Sequence, residues 1–367
     1  MLQEDFLAAA LPLFSNDEVE ILEWSPDIGW ATDIPEWADE LLNFFSSTHS
    51  LYGHGVNYSP LSADWTAVDS GWMKNLEREL EQRQLVHFSE QFGFSRLGEL
   101  KQGAPLPVPH TAQALAAGQF KLAKLAHTTG GRIGLENLAL AFSLSDVKEQ
   151  GRFLDELLEP FDGFILLDLH NLYCQLENFG LSPEELLKTY PLHRVREIHI
   201  SGGSWSQAIN NKIRRDTHDN EVPDEVMALL PLVLAKCPNI EAVIFERLGG
   251  TMNTAEQQHR FRDDFRAIAK LIEQHWLEKN LADEALTAME AIALVEPTKP
   301  AELKAGDFPD ILRYQKKLME LLQSGQKPEE IIAKLSKDFD GEIADYASSI
   351  QPQMIAVGQE LVAKWTR

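Results

Sequence analysis

Short apolar runs that each close on a polar side chain, separated by amphipathic stretches, constrain this chain more than any other feature. The runs are VEILEWS (19–25), SLYGHGVNYS (50–59), QLVHFSEQFGFS (84–95), GRIGLENLAL (131–140), GFILLDLHNLY (163–173), VREIHISGG (195–203) and IEAVIFERLGG (240–250). Each holds a few apolar residues between Gly, Pro or polar clusters, which is how a strand buried on both faces reads. Helical periodicity fills the gaps at 66–83, 111–128, 145–159 and 254–279. Further helix starts fall at Ser182-Pro183 and Val222-Pro223, where an N-cap and a first-turn proline are expected. IRRDTHD (213–219) supplies a candidate eighth strand. Eight strands alternating with helices over about 280 residues predict an α/β fold of the (β/α)8 barrel type. A doubly wound sheet is the competing architecture, but no G-x-G-x-x-G follows the first strand.

Charge narrows the partners. The 367 residues carry 33 Lys and Arg against 57 Asp and Glu, a net charge of −24. That surplus argues against nucleic acid and against anionic membrane surfaces. No apolar run of about 18 residues suggests a membrane span, and the N-terminus MLQEDFLAAALPLF has acids where a secretory signal has bases. Two cysteines, Cys174 and Cys237, make no disulfide framework. A cytoplasmic protein is expected. Composition shifts near residue 280, where a proline-bearing stretch precedes three helical patterns, at 311–325, 327–339 and 342–365. Residues 1–280 therefore read as the barrel and 281–367 as a helical C-terminal extension.

The metal-capable residues recur at the ends of the apolar runs. They are His54, Glu136 with Asn137, Asp168 with His170 and Asn171, His199, Asp216 with His218, and Glu246. An ionised carboxylate there is costly unless paired or metal-bound, and a barrel gathers its C-terminal strand ends into one pocket. Imidazole, carboxylate and amide donors without thiolate suit Fe(II), Mn or Zn. Strand alternation would put Asp168 and His170 on one face, and Asp216 and His218 on another. The donors outnumber what one ion accepts, so two or three metals are expected. His110, His127, His193, His259 and His275 read as surface or capping residues, and both cysteines as buried apolar ones. Glu23 and Trp24 read as pocket or core, and Asp64, Asp69 and the acidic run 77–81 as solvated helix faces.

GHGVNYS (53–59), FSEQFGFS (88–95), GLENLAL (134–140), LLDLHNLYCQLENFG (166–180), EIHISGG (197–203), RDTHDNEVPDEV (215–226) and IFERLGG (244–250) together resemble one group. It is the multinuclear non-heme iron-dependent oxidases, also called DUF692 or UPF0276, on xylose-isomerase-like barrels. The resemblance implies iron ligands at His54, Glu136, Asp168, Asn171, His199, Asp216, His218 and Glu246. It further implies two or three iron ions in mixed valence, O2 as co-substrate, and a ribosomally made precursor peptide modified at a cysteine or C-terminal residue. A leader-binding partner protein is implied as well.

Two positions depart from the group's pattern. Ser89-Glu90-Gln91 stands where members usually read S-E-H, and His170-Asn171 where they read N-N. His87, four residues before Gln91, lies about 13 Å away along an extended strand, too far to replace the missing imidazole. Gln91 and His170 are then candidate substrate-positioning residues, and the extension a candidate peptide- or partner-binding module. Two other readings stay open: a divalent-metal sugar isomerase, epimerase or hydrolase on the same barrel, and a non-catalytic metal- or peptide-binding protein.

Overall fold

The computed structural model describes residues 2–97, 100–130, 132–283 and 308–365. Its strands are β1 (Leu22–Trp24), β2 (Leu51–Gly55), β3 (Phe88–Gln91), β4 (Phe94–Leu97), β5 (Leu100–Leu106), β6 (Ile133–Glu136), β7 (Phe164–Asp168), β8 (Val195–Ile200), β9 (Ser204–Ala208), β10 (Asn211–Arg215) and β11 (Ala242–Phe245). The helices of the first part are α1 (Glu4–Ser15), α2 (Pro26–Gly29), α3 (Glu36–Ser47), α4 (Ala67–Gln82), α5 (Ala112–Thr129), α6 (Leu144–Leu158), α7 (Leu169–Phe179), α8 (Pro183–Leu187), α9 (Asp224–Leu234) and α10 (Ala255–Asp283). Then come α11 (Pro309–Gln323), α12 (Pro328–Asp338), α13 (Gly341–Ser349) and α14 (Pro352–Trp365).

Seven strands pair in the order β1-β2-β3-β6-β7-β8-β11, all in parallel. Spatial order follows chain order with no reversal, so the sheet has no switch point and curls into a nearly closed barrel rather than a doubly wound layer. Helices follow the strands on the outside, as expected. Their starts are set by side chains: Thr66 with Asp69, Ser143 with Asp146 and Ser182 with Glu185 form reciprocal capping boxes.

The proposed eighth strand is a correction. Asn211–Arg215 does form a strand, but it pairs antiparallel with β9 in a hairpin outside the main sheet, and 216–219 is loop. SWSQA and NKIRR are mostly polar, with Gln207, Asn211 and Lys212 exposed, and such strands cannot be buried on both faces as a barrel strand must be. A second hairpin, β4–β5, is inserted directly after β3. Gly93 makes that exit at φ +121°, with Leu106 O lying 2.8 Å from where a Cβ would stand.

Among the described residues β1 and β11 share no ladder. Helix α1 covers this seam. Ala9, Ala10 and Leu13 pack with Met252 and Phe261, and Asp5 Oδ2 accepts from Gly250 N at 2.7 Å and Met252 N at 3.0 Å. Glu18 and Arg266 add a two-pronged pair.

Three further expectations are corrected by burial. Asp69 is no solvated acid: it is fully buried, accepting from Arg96 Nη2 at 2.6 Å and Lys121 Nζ at 2.8 Å. Glu79, in the supposedly exposed acidic run, accepts from Trp24 Nε1 and Arg83 Nη1. His110 is stacked flat on Phe153 at 4.3 Å, and burial pushes its pKa down to about 4.

Residues 308–365 carry four helices, α11 to α14. The expected junction largely falls at 284–307, outside the described residues. Phe308, Ile311, Leu318, Met354 and Ile355 share one apolar core with the barrel helices. Gln315, fully buried, donates to Leu61 O at 2.6 Å and accepts from Ala63 N at 2.9 Å. Helix α14 lies against both β5 and β9, and Arg215 of β10 pairs with Glu360 at 3.0 Å. Gln315→Leu leaves two buried backbone groups without partners, and should lower stability by about 1–3 kcal/mol in urea unfolding.

Candidate metal centre

Each candidate side chain sits where its strand stops. His54 is the fourth residue of β2, Glu136 ends β6, Asp168 ends β7, His199 is the fifth residue of β8, and Glu246 directly follows β11. Asp168 doubles as the N-cap of α7, accepting from Asn171 N at 2.6 Å. Asn137 locks the two central strand ends together: its Oδ1 accepts from Asp168 N at 2.6 Å and its Nδ2 donates to Asp168 O at 3.1 Å. Asp216 and His218 come from the loop after β10, where His218 adopts φ +53°.

All ten predicted positions meet in one continuous polar cluster. His54 Nε2 lies 3.1 Å from Glu136 Oε2, while its Nδ1 meets Ser89 Oγ at 2.8 Å. Gln91 Nε2 donates to the same Glu136 oxygen at 3.0 Å and lies 3.5 Å from His54 Nε2. Asn171 Nδ2 donates to Glu136 Oε1 at 2.8 Å. Across the barrel, His199 Nδ1 is 3.2 Å from Glu246 Oε2, and His218 Nδ1 is 3.5 Å from that same atom. His218 Nε2 and His170 Nδ1 lie 2.9 Å and 3.1 Å from Asp216 Oδ1.

Strand alternation does not pair Asp168 with His170, or Asp216 with His218. Asp168 ends a strand while His170 is already in the first turn of α7, and Asp216 with His218 is not on a strand. They meet through a helix start and a loop instead.

The donors fit a divalent cation. Asp168 Oδ2 and Asn171 Oδ1 are buried without a hydrogen-bond partner, which a native interior rarely tolerates, and His199 Nδ1 faces the Glu246 carboxylate at 3.2 Å. Ligand atoms of Glu136, Asp168 and His199 all lie within 4.8 Å of one another. The deep half, His54, Glu136, Asp168 and His199, is at most 4% exposed. Side chains of Asp216, His218 and Glu246 keep 22–27% of their surface, so they form the open end.

Electrostatics divide the carboxylates. Burial, then Asp216, Glu136 and Glu246, push Asp168 well above the usual carboxylate range. Burial also acts on Glu246, but His199 and His218 overcome it and hold it at about 2. For His54, burial is outweighed by Glu136 and Glu23, which raise it to about 9. His199 and His218 are raised in the same way by Glu23, Glu246 and Asp216.

A second layer underlies these groups, and most of it escaped the sequence reading. Glu23 Oε2 meets His199 Nε2 at 3.0 Å, while His87 Nε2 meets Glu197 Oε2 at 2.7 Å. His87 thus pairs with Glu197 instead of replacing the missing imidazole. Glu197 precedes His199 by two residues on β8, so period-2 alternation was the available signal for it. Glu90, buried between Asp27 and His54, is raised to about 8 by burial and by Asp27.

These shifts set a pH window for the metal-free protein. The raised imidazoles stabilise the fold fully below about pH 6.5, and that contribution is lost as pH rises through about 9 for His54. The depressed Glu246 contributes above about 4.5 and fails as pH falls through about 2. Thermal unfolding of chelator-treated protein should therefore show falling stability from pH 6.5 to 9, relieved by added divalent metal.

A family model described as RiPP precursor modification enzyme MbnB/TglH/ChrH matches residues 11–263. The chain is 25% identical over 244 residues to a UPF0276 protein of Rhizorhabdus wittichii, covering 66% of this chain and 80% of that one. It is 28% identical over 192 residues to a UPF0276 protein of Caulobacter vibrioides, covering 52% of this chain and 66% of the relative, just under two thirds of its length. Among solved structures, an L-ribulose 3-epimerase superposes with TM-score 0.45 at 12% identity, over 80% of this chain and 96% of its own. A xylose isomerase-like TIM barrel protein from Mycobacterium smegmatis in complex with magnesium gives TM-score 0.41 at 12% identity, over 73% and 90%. A family match that begins in α1, passes through every strand of the ring and ends in α10 makes this chain a member of the MbnB/TglH/ChrH family of RiPP precursor modification enzymes.

Proposed function

We propose that this protein is a multinuclear iron, O2-dependent oxidase that modifies a ribosomally synthesised precursor peptide at a cysteine or C-terminal residue. The observation that carries the reading is the pair of unpartnered buried oxygens, Asp168 Oδ2 and Asn171 Oδ1, inside a ring of carboxylates and imidazoles. Family membership supports the peptide substrate. The donor set of imidazole, carboxylate and amide favours iron over a thiolate-bound ion.

His54, Glu136, Asp168, Asn171, His199, Asp216, His218 and Glu246 are the proposed ligands. Iron bound there would supply one-electron chemistry with O2 and a Lewis-acidic anchor for a peptide thiolate or carboxylate. The chain's own part is positioning and exclusion of water. Asp216, His218 and Glu246 form the end open to a peptide. The buried end, closed by His54 and Glu136, keeps solvent out. Gln91, half-buried beside Glu136, offers an amide toward substrate. The extension is proposed to capture the peptide or a leader-binding partner, supported by α14 lying against both hairpins. On the extension, Arg313, Lys316, Lys317, Glu320, Asp338 and Phe339 line a cleft of mixed charge, in which Lys317 pairs with Glu320 and Asp338 and Lys316 is the basic group offered to a peptide.

Protein purified without air should hold at least two irons per chain by metal analysis, with a mixed-valence Mössbauer spectrum and O2 uptake that depends on peptide. Asp168→Asn and His199→Gln should each lower iron affinity roughly tenfold or more while leaving the circular dichroism unchanged. Stoichiometric zinc with no peptide-dependent O2 uptake would sink the oxidase reading. Charge reversal at Arg313 and Lys316 is expected to weaken peptide binding at constant iron content; unchanged affinity would count against the capture role.

A further inference from the structure

We infer that His170 is the positioning residue of Asp216, held in a single tautomer by Arg214, and is neither a ligand nor a substrate contact. The inference rests on the metal-centre reading above and concerns how its open end is shaped.

Both nitrogens of His170 are already committed. Nδ1 lies 3.1 Å from Asp216 Oδ1. Nε2 faces Arg214, with Nε at 3.1 Å and Nη2 at 3.0 Å. A guanidinium has only donors and stays protonated. The nitrogen facing it must therefore accept, and the ring proton sits on Nδ1, where it donates to Asp216. Reversing the tautomer would set two donors against a third and leave Asp216 facing a lone pair.

The clamp on this arrangement is rigid. Arg214 is 6% exposed, and its guanidinium lies over Tyr173 at 5.3 Å and Trp205 at 5.6 Å. Its backbone exchanges two hydrogen bonds with the Asn178 amide, at 2.8 Å and 3.0 Å. The His170 ring has no exposed surface. Gly203 packs so closely that a Cβ there would lie 2.6 Å from His170 Cε1. A substrate cannot reach this ring, and neither nitrogen is free for an ion. What His170 does is fix Asp216 Oδ1, which His218 Nε2 also approaches at 2.9 Å. That leaves Oδ2 as the oxygen available to a metal. Outer partners of this kind typically set metal affinity by roughly 10–100-fold.

Full-length protein stripped of metal and titrated with Co(II), read by its visible absorption bands, tests this. His170→Ala should keep the number of bound ions but weaken the weakest-bound one by roughly 10–100-fold. His170→Asn puts an amide nitrogen near the position of Nδ1 and should recover most of that affinity. His170→Gln puts it near Nε2 and should not. Arg214→Met should weaken the same ion in the same direction. A merely structural role would change the melting temperature without separating Asn from Gln. Loss of one ion outright in His170→Ala would make His170 a ligand, and unchanged cobalt affinity would remove the positioning role; either overturns the inference. Wild-type protein that binds no cobalt would instead overturn the metal-centre reading, and this inference with it.

Discussion

Mutual repulsion among buried carboxylates is the constraint on which the rest of this structure turns. Glu23, Glu136, Asp168, Glu197, Asp216 and Glu246 crowd the upper interior of one small barrel, where charge is poorly screened. Imidazoles offset part of it: His87 for Glu197, His199 for Glu23 and Glu246, His218 for Asp216. Asp168 has no such neighbour in contact and carries the residue of the imbalance. Protonation or a bound cation must settle it. A cluster of this kind is a poor way to stabilise a fold and a good way to demand a guest.

The architecture answers that demand by separating two tasks. The ends of β2, β6, β7 and β8 supply donors held by ladders on both sides, with Asn137 joining two of them, while Glu246 follows the edge strand β11 and is held through β8. The loop after β10 supplies Asp216 and His218 at the open end. Helix α14 ties both hairpins to the apolar core of the extension, so the C-terminal helices influence the rim without contributing a donor. Arg214, on β10, joins the two systems, because its backbone belongs to a hairpin and its side chain ends on His170.

Much of this was legible in the chain. The seven parallel strands announced themselves because a strand buried on both faces is apolar throughout, and a polar side chain at its end has few innocent explanations. Ser182 and Thr66 marked helix starts for local reasons that tertiary structure rarely overrides, whereas the cap at Ser143 lies two residues before the helix as read from 145. Long-range pairing was invisible. Asp69 looked solvated because nothing nearby in sequence reveals that Arg96 and Lys121 converge on it. His87 was set aside as a ligand by strand length alone, and its partner Glu197 lies 110 residues away. IRRDTHD resembled a barrel strand because alternation does not say which neighbour a strand will choose. For His170 the residue type was visible, but its role hinges on Arg214, which carries no signal of its own.

The unpaired seam between β1 and β11 bears on how the chain is made. β1 precedes the other ring strands in the chain, yet among the described residues its outer edge pairs with no strand, and its cover comes from α1 and from residues near 250. Until the ribosome has passed that point, the opening strand and helix wait with apolar surface uncovered. A ring of this design becomes whole only when its last segment arrives to shelter its first.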